Sequence, residues 1–373
     1  MGRPIVLFGA TGYTGRLVAD ALVARDARPL LAARNEAAVK ALAGQLGGLE
    51  TAVADVARPE TLRAIVGKDA VLVSTVGPFI RWGAAAVQAA AAAGAVYLDS
   101  TGEPPFIREV FENHDGPARA GGATLVTAFG YDFVPGNLAA ALALERAGGG
   151  AAKVSVGYFL TGGGNFKEMM SGGTAASVTG VMLAPHFAYR AGRVVTERAA
   201  KRVRSFAVGD RQLTGISIGG SEHLSLPRLY PSLQDVDVYL GWFGPASRAM
   251  QGISLLGSVP GIRAGAEKVS GRVVKRSSGG PGPEARAKSG SLIVAEAHDS
   301  SGALIERVEL RGPNGYSFTG EILAWGAFQA AEHGVSGPGA LGPVEAFGLR
   351  ELEAACAAIG LKEAEAPAKT AGW

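Results

Sequence analysis

Glycine residues recur at intervals of three, at Gly9, Gly12 and Gly15, directly after a short apolar run near the beginning of the chain. The dinucleotide-binding fingerprint G-x-G-x-x-G is present in register, with Ala10 in its first place. Glycine allows a sharp turn and lets the backbone touch a pyrophosphate, which the first N–H groups of a helix starting near Tyr13 would face. The spacing predicts a dinucleotide-binding turn; the alternative is an ordinary tight strand-to-helix turn.

Arg34 stands nineteen residues after Gly15, at the end of a second apolar run. An Asp or Glu in this place holds the ribose 2′-OH of NAD, whereas an Arg accommodates the 2′-phosphate of NADP. We therefore expect NADP as the cofactor, ahead of NAD. Arg34 is the predicted selector and Asn35 a second donor; a solvated arginine at a strand end is the alternative.

The other predicted cofactor contacts lie at the carboxyl ends of later strands, where ligands bind in a doubly wound sheet. Asp55 follows the third apolar run, and an acid there commonly lies beside the adenine. The fourth run ends in small residues that would let the nicotinamide ribose approach the backbone. The full predicted cofactor set is Gly9, Thr11, Gly12, Tyr13, Thr14, Gly15, Arg34, Asn35, Asp55, Val56, Ser74, Thr75, Val76, Gly77, Pro78 and Phe79.

Hydride transfer to a double bond also needs a proton donor within hydrogen-bond reach of the atom that becomes charged. Tyr131 and Asp132 follow the sixth apolar run, and Asp99 and Glu103 follow the fifth. We predict Tyr131 and Asp132 as the catalytic residues. The alternative for all four is a polar side chain that caps a loop or the next helix.

Other catalytic patterns are absent or lack their context. No tyrosine is followed four residues later by a lysine, so the Tyr-x-x-x-Lys pair of short-chain dehydrogenases is missing. Ser217 lies in a G-x-S-x-G match, but that motif needs a strand before it and a helix after it, and its surroundings alternate like a polar stretch. The five histidines form no i, i+4 pair and no cysteine cluster accompanies them, so no metal site is predicted.

Composition excludes several classes of protein. The 373 residues are 47% hydrophobic, enough for two domains, and a net charge of +3 without charged blocks does not indicate nucleic acid. The single cysteine, Cys356, favours a reducing compartment. The first strand begins at once and no uncharged apolar run reaches a membrane-spanning length, so we expect a cytoplasmic protein without an integral membrane segment. The expected partner is a small-molecule substrate, and a homodimer stays open.

The first 150 residues alternate apolar runs with helical patterns. Six strands are predicted, at 5–8, 29–33, 50–54, 70–76, 96–98 and 124–128. This alternation predicts a Rossmann-type, doubly wound parallel sheet in the order 3-2-1-4-5-6, within an α/β protein.

From residue 151 the pattern predicts a second, α+β domain on a mostly antiparallel sheet. Its predicted strands are 153–160, 194–204, 236–242, 291–298 and 303–311, and its predicted helices are 173–183, 247–256 and 318–333. A stretch rich in Ser, Gly and Pro at 277–289 is predicted as a mobile loop. We divide the chain into an NADP-binding domain (1–150), a substrate or oligomerisation domain (151–335) and a terminal part (336–373) whose helix 349–359 packs back on the first domain.

Five motifs in order make the chain resemble the saccharopine dehydrogenase-like oxidoreductases, a group that includes trans-acting enoyl reductases. They are Gly9-Ala-Thr-Gly-Tyr-Thr-Gly15, Ala32-Ala-Arg-Asn35, Val76-Gly-Pro-Phe79, Tyr97-Leu-Asp-Ser-Thr-Gly-Glu-Pro104 and Gly130-Tyr-Asp-Phe-Val-Pro135. The resemblance covers residues 1 to about 145 and implies an NAD(P)-dependent oxidoreductase. Ala38 departs from the lysine that often follows the arginine of strand two, and the chain is shorter than the enoyl reductases.

The expected reaction is reduction of a C=C, C=O or C=N bond in a largely apolar small molecule. Arginines of the second domain are dispersed, whereas stretches 162–181 and 247–259 are small and apolar, and pockets are mostly apolar. The aromatic residues flanking these stretches are Phe159, Phe166, Phe187, Trp242 and Phe243. Those stretches could instead form the core or an oligomer interface. The alternative functions are a saccharopine-type amino-acid or imine dehydrogenase and a non-catalytic dinucleotide-binding redox sensor.

Overall fold

The computed structural model describes residues 2–162, 184–242, 244, 247–256 and 279–364. The described strands form a seven-stranded sheet and a nine-stranded sheet. They are β1 (Ile5–Phe8), β2 (Leu30–Ala33), β3 (Thr51–Val53), β4 (Val71–Ser74), β5 (Val96–Asp99), β6 (Thr124–Val126), β7 (Lys153–Gly162), β8 (Pro185–Arg190), β9 (Arg193–Arg198), β10 (Val203–Val208), β11 (Arg211–Ile218), β12 (Asp235–Leu240), β13 (Ser289–His298), β14 (Leu304–Pro313), β15 (Gly339–Ala340) and β16 (Lys362–Glu363).

The helices lie between these strands. In chain order they are α1 (Tyr13–Val23), α2 (Glu36–Gln45), α3 (Pro59–Arg63), α4 (Phe79–Ala93), α5 (Pro104–Glu109), a π-helical turn (Val110–His114), α6 (Asp115–Gly121), α7 (Val134–Ala147), α8 (Glu222–Leu229), α9 (Ser247–Leu256), α10 (Pro283–Ala287), α11 (Gly315–Glu332), α12 (Pro343–Phe347) and α13 (Leu349–Ile359). Within the described residues no helix combines the length and apolar character needed to span a bilayer.

The first sheet is parallel throughout, in the order β15-β6-β5-β4-β1-β2-β3. Every residue of β1, β4 and β5 is buried, as expected for central strands covered on both faces. The predicted order of six strands is confirmed. The short strand β15 adds a seventh at the edge beside β6, and its two residues gave no strand signal.

The second sheet has the order β10-β11-β12-β7-β13-β14-β16, with β8 pairing with β12 and β9. Among the described strands of this second sheet, only the β7–β12 pair is parallel. Strands β13 and β14 form the predicted hairpin. A Rossmann-type sheet followed by a second, largely antiparallel sheet confirms the predicted fold class.

Two helices connect the sheets. Helix α7 leaves the carboxyl end of β6 in the first sheet and packs on β7, β13 and β14 of the second. Helix α11 follows the second sheet and returns to pack on α1, β4 and β5 of the first. One buried apolar core therefore runs through both sheets. The domain boundaries given above stay a prediction.

The terminal helix α13 packs on α7 and α11. Its Cys356 side chain is completely buried, and this burial raises the pKa of the thiol. The sequence predicted this helix at the same residues.

Two expectations for the second part of the chain change, and a third falls outside the described residues. The predicted strand 194–204 is two strands, β9 and β10, because the chain turns at Ala200, which has a φ of +50° and donates its amide to Ser217. The predicted mobile loop 277–289 contains helix α10 in its described part. The predicted helix 173–183 lies outside the described residues.

Candidate active site

The glycine turn has the shape of an anion cradle. Gly9 adopts a φ of +88°, and a Cβ on Gly15 would lie 2.2 Å from the Gly9 carbonyl oxygen, so α1 sits too close to the turn for any side chain there. Gly12 is the N-cap of α1 and no side chain caps the helix. The first-turn amides of α1 are therefore open to a ligand, and an open helix N-terminus attracts phosphate.

Arg34 directly follows β2, on the same sheet edge as the glycine turn. The guanidinium is exposed and, within the described part of the chain, forms no hydrogen bond or ion pair. The Asn35 side chain accepts a hydrogen bond from the Ala38 amide at 3.0 Å and caps α2, so only its NH₂ group is left to donate. Asp55, after β3, is partly buried, and its Oδ1 accepts a hydrogen bond from the Ala57 amide at 3.0 Å.

These features fit a dinucleotide. A Cβ at Gly15 would fill the anion cradle, and no side chain caps the N-terminus of α1. None of the guanidinium donors of Arg34 has a partner among the described residues. We therefore keep the predicted cofactor set as a proposal. Thr11 and Val56 are partly exposed beside the cradle and Asp55 respectively.

The end of β4 contacts the glycine turn. Ser74 pairs with Phe8 of β1 and with Asp99 of β5, and is almost fully buried. Thr75 donates its hydroxyl to the Gly9 carbonyl oxygen at 3.2 Å, which fixes this segment against the turn. The loop continues through Val76, Gly77 and Pro78 to Phe79, the first residue of α4.

Two acids considered as proton donors have structural contacts. The Glu103 carboxylate accepts the amides of Phe79 and Ile80 at 2.9 and 3.0 Å and so caps α4. The Asp99 carboxylate accepts from the amides of Thr101 and Ala128 and from the Thr127 hydroxyl. Burial raises the pKa of Asp99 to about 6, although these hydrogen bonds oppose the shift. Both side chains therefore bind backbone amides of a loop or helix start, which is the alternative to a catalytic role given above.

Tyr131 lies between the two sheets. Its amide donates to Thr319 of α11 at 3.0 Å, and its hydroxyl donates to the Phe159 carbonyl of β7 across 3.5 Å. Burial, with the nearby charge of Asp132, raises the pKa of Tyr131. A phenol whose pKa is raised in this way is a weak acid at neutral pH, so the structure favours Asp132 over Tyr131 as the donor.

Asp132 is a better proton donor. Its Oδ1 is buried and has no hydrogen-bond partner among the described residues. Burial alone raises the pKa of this carboxyl to about 7. A group that titrates near neutral pH carries a proton and can also release it, as general acid catalysis requires. Gly102 leaves the space beside it, because a Cβ there would lie 2.8 Å from Asp132 Oδ2.

A second acid, Glu222, lies close enough to Asp132 to interact with its charge and was not predicted. It is the first residue of α8 and is fully buried; its Oε2 has no partner in the described part of the chain. Its Oε1 lies 2.6 Å from the Tyr158 hydroxyl. Burial, and to a smaller extent the charge of Asp132, raises the pKa of Glu222 to about 8.

The contacts of the Tyr158 hydroxyl indicate which form of Glu222 is present. This hydroxyl receives the Gly136 amide at 2.8 Å and lies 3.2 Å from the Phe133 carbonyl oxygen. It has one proton and cannot donate it to both Phe133 and an ionised Glu222. If Glu222 is protonated, it donates to Tyr158, and Tyr158 donates to Phe133. With the neutral acid, the Tyr158 hydroxyl can donate its own proton and accept two hydrogen bonds, while Glu222 Oε2 stays without a partner among the described residues.

No sequence pattern marked Glu222. The best available signal is the Gly219-Gly220 pair before it, since a Cβ on Gly220 would lie 2.4 Å from Glu222 Oε2. The neighbouring His223 is buried with Nδ1 against the Gly220 backbone, and burial lowers its pKa to about 4. No cluster of three or more metal-ligating side chains occurs in the part of the chain that the structure describes.

Other residues weighed from the sequence take structural positions. Ser217 lies within β11, and its hydroxyl accepts the Arg202 amide at 3.0 Å. Phe159 packs against Phe206 and Phe187 against His223, so both are core residues. Trp242 is partly buried. Phe166, Phe243 and most of the two apolar stretches lie outside the described residues.

Comparisons with known proteins agree with this geometry. Residues 9–97 match a family model described as NAD(P)H-binding. A putative trans-acting enoyl reductase of Mycobacterium tuberculosis is 40% identical over 187 residues, which is 48% of this chain and 44% of the relative. A trans-acting enoyl reductase of Mycobacterium leprae is 40% identical over 140 residues, 36% of this chain and 34% of the relative. The match thus spans less than half the length of these relatives.

The fold is that of a saccharopine dehydrogenase. The structure of the L-Glu-forming enzyme from Saccharomyces cerevisiae superposes with a TM-score of 0.62 at 13% identity, covering 97% of this chain and 99% of that one. The resemblance drawn from the five motifs is confirmed, as are the NAD(P)-binding domain and its Rossmann-type sheet. These matches support a nicotinamide dinucleotide as the cofactor without separating NADP from NAD.

Proposed function

We propose that the protein is an NADP(H)-dependent oxidoreductase that reduces a C=C, C=O or C=N bond of a largely apolar small molecule. The observation that carries this proposal is the sheet edge itself. An uncapped helix N-terminus and Arg34, which has no partner among the described residues, lie on the same edge as Asp132, a partly buried acid whose pKa burial raises to about 7. Parallel sheets bind ligands at this edge.

Each residue has a separate task. The amides of Tyr13 to Gly15 bind the pyrophosphate, while the Gly12 amide donates to the Gly9 carbonyl oxygen within the turn. Arg34 pairs with the 2′-phosphate, as a bidentate guanidinium does well. The bound nicotinamide supplies the hydride. Asp132 holds the proton at its carboxyl oxygens and gives it to the substrate atom that gains charge. Glu222, whose neutral form burial favours, adds no fixed negative charge beside Asp132.

The charges around the acids support an apolar substrate. Among the described residues, no cation lowers the pKa of Asp132, which burial raises. Three described arginines of the second sheet are engaged elsewhere: Arg190 and Arg202 pair with Asp237, and Arg204 with Glu296. A substrate with several carboxylates would need free arginines converging on this point. The name of the mycobacterial relatives, enoyl reductase, supports a C=C bond among the three.

The test is turnover with defined pools. The protein and NADPH are incubated separately with enoyl thioesters, apolar ketones and imines of dicarboxylic amino acids, and the loss of NADPH absorbance is followed. We expect oxidation with the enoyl or ketone pool and none with the imines. Oxidation by the imine pool alone would favour the saccharopine-type alternative. Tight NADPH binding without oxidation in any pool would favour the redox sensor.

A further inference from the structure

Tyr13, the first residue of α1, is held by a segment that leads into the second sheet. Its hydroxyl donates to the Pro281 carbonyl oxygen at 2.6 Å. Arg286 on α10 donates from Nη1 to the same hydroxyl at 3.0 Å and to the same carbonyl at 2.9 Å. The contact is close, since a Cβ on Gly280 would lie 2.6 Å from the Tyr13 ring.

The opposite side of Tyr13 is also fixed. Its ring packs edge-on against Tyr316 of α11, with 5.3 Å between the ring centroids. Tyr13 is therefore enclosed by elements on two sides, and burial raises its pKa while Arg286 lowers it. An enclosed side chain of this kind can position whatever it holds, and it holds the guanidinium of Arg286.

Arg286 keeps donors in reserve. A guanidinium has five N–H donors, and both contacts above use Nη1. Its Nε and Nη2 have no partner among the described residues, and no described acid pairs with it. Its positive charge thus stands beside the N-terminus of α1, which is itself the positive end of a helix dipole. An anion bound at that N-terminus would therefore be attracted by both the helix dipole and Arg286.

We propose that Arg286 binds the pyrophosphate of the dinucleotide from the side of the second sheet, opposite the amides of the glycine turn. Tyr13 is its positioning residue. Three residues after Arg286 the chain enters β13, so the cofactor would be held by both sheets at once. This inference rests on the proposed cofactor but concerns a residue outside the nucleotide-binding fingerprint.

The experiment measures dissociation constants of NADPH by fluorescence titration. The variants are Arg286→Ala, Arg286→Lys, Tyr13→Phe and the control Lys288→Ala, which removes the same charge from an exposed side chain two residues away. Adenosine 2′-phosphate, which lacks a pyrophosphate, is measured as a competitor. Thermal unfolding of each variant reports whether the fold is kept.

We expect Arg286→Ala to raise the dissociation constant of NADPH about tenfold, the loss of one charge-assisted contact. Lysine should restore part of the affinity, since it keeps the charge without the planar fork. Tyr13→Phe should have a smaller effect in the same direction. Adenosine 2′-phosphate should bind all variants equally.

Two results would overturn the inference. One is an NADPH affinity of Arg286→Ala within twofold of the Lys288→Ala control. The other is an equal loss for NADPH and adenosine 2′-phosphate, which would mean that the whole cleft had loosened. If the wild-type protein binds no dinucleotide, the proposed function itself fails, and this outcome is distinct from both.

Discussion

Asp132 and Tyr131 were predicted together, and their surroundings separate them. Asp132 has a carboxyl oxygen without a partner among the described residues, and burial raises its pKa to about 7. Burial also raises the pKa of Tyr131, which makes the phenol a weaker proton donor at neutral pH. Asp132→Asn keeps the shape but removes the acid. We expect it to lower kcat about 100-fold or more, the usual contribution of a general acid, with NADPH affinity unchanged.

Tyr131→Phe is the matched comparison for this prediction. Its hydroxyl makes a long contact with the Phe159 carbonyl oxygen, at 3.5 Å, and a hydrogen bond with the Ser291 side chain. Its removal should change kcat by less than about threefold, within the range of weak neutral hydrogen bonds. Steady-state kinetics on the substrate pool identified above measure both. Equal losses in the two variants would show that Asp132 has no special part.

Arg34 is the residue that we propose selects NADP over NAD. It has no partner within the described residues, so its replacement should leave the fold unchanged. We expect Arg34→Ala to weaken NADPH binding about tenfold or more, because a charge-assisted bidentate pair with the 2′-phosphate is lost, and to leave NADH binding as it was. Titration with both cofactors tests this. A wild-type protein that binds NADH as tightly as NADPH would remove the role given to Arg34.

Glu222 should make stability depend on pH. Burial raises its pKa from 4.5 to about 8 in the folded protein, so folding favours the protonated form. This contribution to the free energy of unfolding is complete below pH 4.5 and is lost as the pH rises through about 8. Asp132 and Asp99 act in the same direction, with pKa values raised to about 7 and 6.

Glu222→Gln isolates its share. The amide is neutral at every pH and can still donate to Tyr158, so the variant should lose less of its Tm than the wild-type protein between pH 5 and about pH 8. We expect a difference of several degrees in thermal unfolding. Parallel pH profiles of the two proteins would mean that Glu222 is already ionised in the folded state.

The turn between β1 and α1 leaves no room for a side chain at Gly15. A Cβ on Gly15 would lie 2.2 Å from the Gly9 carbonyl oxygen, and backbone cannot move aside cheaply. We expect Gly15→Ala to shift α1 off the sheet, lower Tm and abolish cofactor binding. The control is Gly44→Ala on α2, where nothing lies within 4 Å. That variant should gain about 0.5–1 kcal/mol, since alanine favours a helix over glycine.

The sequence predicts elements well where the signal is local. A short apolar run, glycines at fixed intervals and a helical pattern specified β1 and α1 to within a residue. The start of helix α4 at Phe79 depends on the Glu103 carboxylate, which caps the helix from a distant loop. The predicted strand 194–204 was wrong because the turn at Ala200 depends on a hydrogen bond to Ser217, seventeen residues later. Such contacts leave no local pattern.

The candidate site divides in the same way. The cofactor residues come from one turn and from strand ends, which periodicity and spacing locate. Glu222 and Arg286 come from the second part of the chain, and only folding brings them to Tyr158 and Tyr13. Composition suggested a mobile loop at 277–289 because Ser, Gly and Pro dominate it, yet Pro281 binds the Tyr13 hydroxyl.

At the scale of the molecule, the two sheets depend on each other. Helix α11 comes from beyond the second sheet and covers α1, β4 and β5 of the first. We expect a truncated chain of residues 1–150 to lack a cooperative thermal transition, since these apolar faces would be exposed. Calorimetry of that fragment, with the full chain as the control, measures this. A sharp transition with retained NADPH binding would show that the first part folds by itself.

The buried Cys356 gives the chain a built-in chemical clock. It is the single thiol of the protein and lies on α13, against α7 and α11. A thiol-reactive dye cannot reach it until α13 separates from its neighbours, so the labelling rate counts opening events of the seam where the first and last parts of the chain meet. Because α11 also contacts α1, NADPH should slow that labelling. The rate of opening at this contact could thus be measured with the native cysteine, without an engineered labelling site.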